Sequence, residues 1–124
     1  MTQKKKILLV DDSATVLMME RMILSQGRYQ LSTAKNGREA LVRARAEQPD
    51  LILMDVVMPE LDGFGALAAL REDPVTAAIP IIMVTTRSEA ASIETGFARG
   101  CNDYVTKPVS SVELLAKVRN LLGE

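Results

Sequence analysis

The sequence predicts an α/β fold, a doubly wound five-stranded parallel sheet carrying five helices on its two faces. Short, unbroken apolar runs alternate with stretches of helical period, the pattern of strands buried on both sides and joined by helices. The chain of 124 residues is 48% apolar, enough for a single cored domain over residues 1–124. Glycine, proline and Asn-Gly or Asp-Gly pairs fall at the seams between the two kinds of segment.

Taken in order, Ile7-Leu8-Leu9-Val10 reads as a first buried strand. Val16, Met19, Ile23 and Leu24 then share one face of a helix, which Gly27 ends. Tyr29 to Ala34 is a weaker strand suited to an edge. Asn36-Gly37 opens a second helix with Ala40, Leu41 and Ala44 inward, and Gln48-Pro49-Asp50 breaks it. Leu51-Ile52-Leu53-Met54 is the third strand. Asp62-Gly63 opens a helix with Phe64, Leu67 and Leu70 inward, and Glu72-Asp73-Pro74 stops it. The run Ile79 to Val84 gives a fourth strand, Ile93 and Phe97 mark a fourth helix before Gly100, and Asp103 to Thr106 gives a fifth strand. Val112, Leu115, Val118 and Leu122 line a last helix. Repeated βα units imply right-handed crossovers.

Composition narrows the chemistry. The net charge of −1 argues against a dedicated nucleic-acid face, and Lys4-Lys5-Lys6 reads as a solvated entry to the first strand. The chain has no histidine, which removes imidazole bases, triads and most zinc sites. A lone Cys101 suits a buried position in a reducing, cytoplasmic setting. No apolar run approaches the ~20 residues that span a bilayer, and no signal peptide precedes the first strand.

In sheets of this kind ligands bind beyond the carboxyl ends of the strands. Asp11 and Asp12 follow the first strand, Asp55 ends the third, Thr85-Thr86 end the fourth and Lys107-Pro108 end the fifth. Each has a bland alternative, since Asp12 or Ser13 would cap a helix and Lys-Pro is a common turn. Their coincidence at four strand ends points to a site. Three clustered carboxylates repel, at ~4 Å by on the order of 4 kcal/mol per pair for an effective dielectric of 20. Oxygen ligands without histidine select a hard cation, Mg²⁺ first, with Mn²⁺ as a substitute. Lys107 supplies a compact positive charge, Thr85 a hydroxyl, and Asp55 a carboxylate nucleophile for phosphorus. The phosphoryl donor must be reactive in itself, because no Gly-rich phosphate loop is present.

The motifs ILLVDD (residues 7–12), LILMDVVMPELDG (51–63), VTT (84–86) and DYVTKP (103–108) resemble the receiver domain of two-component response regulators. The resemblance implies a flavodoxin-like sheet of strand order 2-1-3-4-5. It implies Asp55 as phosphoacceptor, Asp12 and Asp11 as acids holding Mg²⁺ with Asp55 and the backbone carbonyl of Val57, Thr85 as the switch hydroxyl, Tyr104 as the switch aromatic, and a cis bond before Pro108. Val57 and Arg87 match positions that tune dephosphorylation. The donor would be a phosphohistidine on a sensor histidine kinase or histidine phosphotransfer protein, and the domain would remove its own phosphoryl group, acting as a switch more than a turnover enzyme.

Met18 and Met22 fall on a second face of the first helix, suited either to docking the phosphodonor or to packing on the last helix. The face of the fourth helix, fifth strand and fifth helix, with Glu89, Ser92, Thr95, Tyr104 and Val112 to Lys117, would grip a downstream protein or form a weak, phosphorylation-dependent dimer. No membrane or nucleic-acid contact is expected. Met1 and the closing Leu121-Leu122-Gly123 favour a stand-alone regulator over a receiver from a longer chain. A Mg²⁺-dependent aspartyl phosphatase is disfavoured because Val57 stands where its general acid would be, and a flavin module because Asp11-Asp12 replaces a phosphate loop.

Overall fold

The computed structural model describes residues 4–58, 60–86, 97 and 100–124. Five parallel strands, β1 (Lys5–Val10), β2 (Tyr29–Ala34), β3 (Leu51–Asp55), β4 (Ile81–Thr85) and β5 (Asp103–Thr106), form one sheet in the order β2-β1-β3-β4-β5. Four helices accompany them: α1 (Ala14–Leu24), α2 (Gly37–Glu47), α3 (Gly63–Glu72) and α4 (Ser111–Leu122). The helix expected around Ile93 falls on residues outside those described, apart from Phe97, whose backbone is helical. The described count is therefore four helices where the sequence predicts five.

Alternation along each strand splits the core into two layers. Leu8, Val10, Ile52, Met54, Ile81 and Met83 face α2 and α3, where Ala40, Ala44, Ala66, Leu67 and Leu70 are buried. Ile7, Leu9, Leu51, Leu53, Ile82, Val84 and Val105 face α1 and α4, where Leu17, Leu24, Leu114, Leu115 and Val118 are buried. Both faces of β1, β3 and β4 are covered, so their sequences read as unbroken apolar runs. Each fully buried leucine or isoleucine contributes about 2 kcal/mol.

The helix starts follow from the seams. Ser13, Asn36, Asp62 and Ser110 are N-caps whose side chains accept from the backbone N–H of Val16, Glu39, Gly65 and Glu113. Two inward faces differ from expectation. On α1 the buried stripe is Leu17, Glu20 and Leu24, while Met19 is 43% exposed. On α4 Leu114 is buried and Val112 lies in solvent. Both helices carry apolar residues around much of their circumference, so the periodicity left the facing stripe undetermined.

Arg71, at the end of α3, braces the far end of the sheet. Its guanidinium donates to the carbonyls of Gly100 (2.9 Å), Ala77 (3.0 Å) and Ile79 (2.8 Å) and to Asn102 Oδ1 (3.0 Å). Asn102 Oδ1 also accepts from Ile81 N at the start of β4. Gly100 has φ +108° and lies so near Arg71 that a Cβ would stand 3.1 Å from its Cγ, which is why glycine sits there. Removing the fork strands three carbonyls at once. Arg71→Ala is expected to lose about 2–3 kcal/mol of stability in urea titrations followed by circular dichroism, and Arg71→Lys to recover less than half of it. An unchanged midpoint for Arg71→Ala would remove the brace from the account.

Candidate functional site

The parallel register gathers the polar residues. Val10 lies beside Met54, Asp55 beside Val84, and Thr85 beside Thr106. The ladder extends just past the strand ends, with Asp11 N on Ala34 O, Val56 N on Val84 O and Lys107 N on Thr85 O. Asp11, Asp55, Thr85 and Lys107 are thus delivered to one edge by backbone hydrogen bonds, before any side chain contributes. At that edge α3 begins directly beneath Asp55. Gly63 N donates to Val56 O at 2.8 Å, and a Cβ on Gly63 would stand 2.2 Å from Asp55 O. Only glycine allows this approach.

Carboxylate oxygens of Asp11, Asp12 and Asp55 lie within 4.8 Å of one another. Asp11 and Asp55 are buried, and Asp12 is exposed at the mouth. Lys107 Nζ stands 3.1 Å from Asp55 Oδ1 and 3.2 Å from Asp11 Oδ2, bridging the two buried acids. Asp11 Oδ1 accepts from Ser13 N at 2.9 Å, which ties the acid to the start of α1. Burial, and next the negative charge of Asp11, push the Asp55 carboxyl up to about 6 against the pull of Lys107. Burial opposes the ammonium of Lys107, but Asp55 and Asp11 outweigh it and hold the group above its ordinary value.

Three carboxylates and one ammonium leave two negative charges uncompensated, the charge of one divalent ion. Clustered hard oxygens, partly open to solvent, suit Mg²⁺, which keeps several waters. The residues present therefore fit such an ion, with Asp11, Asp12 and Asp55 as the groups that would hold it.

Thr85 is buried beside this cluster, its Oγ1 donating to Thr86 O at 3.3 Å. Val57 is 60% exposed. The Lys107-Pro108 bond is cis. Tyr104 lies on β5 beside Met83 of β4, half-buried, with its ring edge-on to Phe97 at 6.1 Å. Lys117 Nζ stands 4.8 Å from the Tyr104 ring centroid, donates to Tyr104 O and pairs with Asp103 at 3.3 Å. Met18 and Met22 are 61% and 66% exposed on α1. Arg87, Glu89, Ser92 and Thr95 lie outside the described residues. Cys101 is buried, and burial pushes its thiol up, away from reactivity.

Sequence reasoning passed over Glu20. It is 1% exposed, and burial followed by the charge of Asp11 push it up to about 8. A signal was present: Glu20 stands three residues from Leu17 and four from Leu24, on one stripe.

The sequence and the fold are shared with known proteins. Residues 7–119 match the sequence profile of the response regulator receiver domain. The chain is 43% identical over 120 residues to the probable transcriptional regulator ycf27 of Porphyra purpurea, covering 97% of this chain and 48% of that protein. It thus spans about half the length of that relative. It is 41% identical over 118 residues to Protein PilH of Pseudomonas aeruginosa, covering 95% of this chain and 98% of PilH. Among solved structures it is similar to the receiver domain of the sensor histidine kinase PA1611 from Pseudomonas aeruginosa PAO1, which has a magnesium ion coordinated in its active-site cleft. The TM-score there is 0.89 with 29% identity, over 98% of this chain and 100% of that one. This chain belongs to the response regulator receiver domain family.

Proposed function

We propose that the domain is a phosphoaspartate switch whose nucleophile is Asp55. The observation that carries this reading is the ammonium of Lys107 bridging Asp55 and Asp11 beside Asp12, at the carboxyl edge of the sheet. An Asp55 carboxylate oxygen attacks phosphorus of a phosphohistidine on a kinase or phosphotransfer protein. The P–N bond breaks, its electron pair stays on the imidazole nitrogen, and that nitrogen takes a proton. Asp55 becomes an acyl phosphate. Mg²⁺ held by Asp11, Asp12, Asp55 and the Val57 carbonyl would supply neutralisation of charge on the transferring group. Lys107 keeps Asp55 oriented and then neutralises the phosphoryl oxygens, while Thr85 supplies a hydroxyl beside them.

The phosphoryl group adds about −1.5 to −2 charges to the edge. Thr85 and Tyr104 form the element that carries this change to the face of β5 and α4, where a target protein or a second copy would bind. The exposed Met18 and Met22 on α1 support docking of the phosphodonor there. No described helix is long and apolar enough to cross a membrane, and the buried lone cysteine suits a cytoplasmic setting. Removal of the phosphoryl group needs a water, and the exposed Val57 side chain offers that water no hydrogen bond.

Incubation with a small-molecule phosphodonor and Mg²⁺, read by intact mass, is expected to add one phosphoryl group to the wild type and none to Asp55→Asn. A gain in the variant, or none in the wild type, would refute the assignment. Val57→Asn is expected to lose its acyl phosphate about fivefold faster than the wild type, the rate equivalent of one net hydrogen bond of about 1 kcal/mol to the water. Equal or slower loss in a time course would remove Val57 from the tuning of lifetime. A third expectation concerns pH. The Asp55 carboxyl is raised in the folded state, so its contribution to stability is full below the ordinary carboxylate range and is lost as pH rises through about 6. Without metal at pH 7.5, Asp55→Asn should therefore be more stable than the wild type by on the order of 1–2 kcal/mol, and added Mg²⁺ should stabilise the wild type more. Matching urea midpoints with and without Mg²⁺ would contradict this electrostatic account.

A further inference from the structure

Among the described residues, Glu20 is the one buried acid that the proposed reaction leaves without a role. Its Oε1 has no hydrogen-bond partner, and none of the described cations pairs with it. It shares the wall of a partly open cavity of about 210 Å³ with Lys107, lined also by Val16 and Met19 of α1 and by Pro108 and Val109 after β5. The charged groups around Glu20 are Asp11 from β1, Asp55 from β3 and Lys107 from the end of β5. The other residues lining the cavity are apolar.

Two consequences follow. A carboxylate buried without a cation of its own, behind two other acids, is costly, so the group is held as the neutral acid. The raised value of about 8 agrees, with burial as the first cause and Asp11 as the second. An ammonium also has three N–H donors, and Lys107 directs its charge to two carboxylates. A third carboxylate on the same cavity wall would compete for it.

We infer that Glu20 is a positioning residue for Lys107: as a neutral acid it leaves the ammonium on Asp55 and Asp11, and as a carboxylate it draws the ammonium away from Asp55 toward α1. The effect on phosphoryl transfer rests on the role proposed above for Lys107, whereas the coupling between the two side chains does not.

NMR on the full, metal-free chain tests the coupling directly, with ¹³C-carboxyl glutamate and ¹⁵N-lysine labels from about pH 5 to 10. Glu20 is expected to stay protonated through neutral pH and to titrate near 8, and the Lys107 Nζ resonance to shift with the same midpoint. In Glu20→Gln that Lys107 inflection should vanish. Titration of Glu20 in the ordinary carboxylate range, or an identical Lys107 inflection in Glu20→Gln, overturns the inference. The wild-type titration decides even where the variant folds poorly. Phosphorylation by a small-molecule donor adds a functional readout. The ratio of the rate at pH 9 to that at pH 7 should be at least about threefold higher in Glu20→Gln than in the wild type, and equal ratios overturn the functional half. Absence of phosphorylation in both proteins, with the NMR coupling intact, counts against Asp55 as phosphoacceptor and leaves the Glu20–Lys107 coupling established.

Discussion

The contact on which the site depends is the ammonium of Lys107 set between Asp55 and Asp11. Two buried carboxylates at this spacing repel each other strongly in a medium less polar than water. A single cation between them makes the arrangement tolerable without cancelling it, and Asp55 still remains well above the ordinary carboxylate range. The edge of the sheet is therefore short of positive charge. A stable protein would ordinarily avoid that state; a site with the function proposed above, recruiting a cation and receiving a charged group, would benefit from it.

The remainder of the architecture holds this imbalance in place. Lys107 reaches Asp11 across 96 positions of sequence, so only the sheet can set their distance. Adjacent ladders fix β1 to β3, β3 to β4 and β4 to β5, and the two apolar layers clamp those ladders from both sides. Ser13 adds a local constraint, because it caps α1 and its N–H binds Asp11. Gly63 lets α3 start against the Asp55 carbonyl. At the opposite end of the sheet the guanidinium of Arg71 gathers the carbonyls of the loops before β4 and β5.

Much of this was legible in the residues. Unbroken apolar runs located β1, β3 and β4, and the residues just after them named the site, because a parallel sheet leaves little freedom in where its strand ends meet. The caps at Asn36 and Asp62 were equally plain, since a short polar side chain before a helical stretch satisfies orphan N–H groups locally. What stayed hidden depends on contacts distant in sequence. The apolar stretches of α1 and α4 wrap too far round their axes to declare an inward stripe, so Met19 and Val112 were assigned to the core although they lie in solvent. Glu20 escaped for the opposite reason: a charged residue on a helix is normally solvated, and only the tertiary structure shows it buried on the wall of a cavity shared with Val16 and Val109. The four bonds of Arg71 reach two loops, one before β4 and one before β5, neither predictable from local pattern.

Charge accounting links the site to its surface. Lys107 is the counter-ion of Asp55, and the phosphoryl group proposed for Asp55 would claim the same ammonium more strongly, because it is larger and more negative. Under the proposed reaction Asp11 would lose part of its partner, beside the buried Thr85 of the neighbouring strand. In the proposed switch such a rearrangement would travel outward through Tyr104, and that ring is already engaged. Phe97 meets the ring at near a right angle, and Lys117 stands over it while also gripping the Tyr104 carbonyl and Asp103. Lys117 thus ties α4 to Tyr104 and Asp103 of β5 on one surface. The site and the surface thus each centre on one lysine: Lys107 is shared between two carboxylates, and Lys117 between a carboxylate, a carbonyl and an aromatic ring.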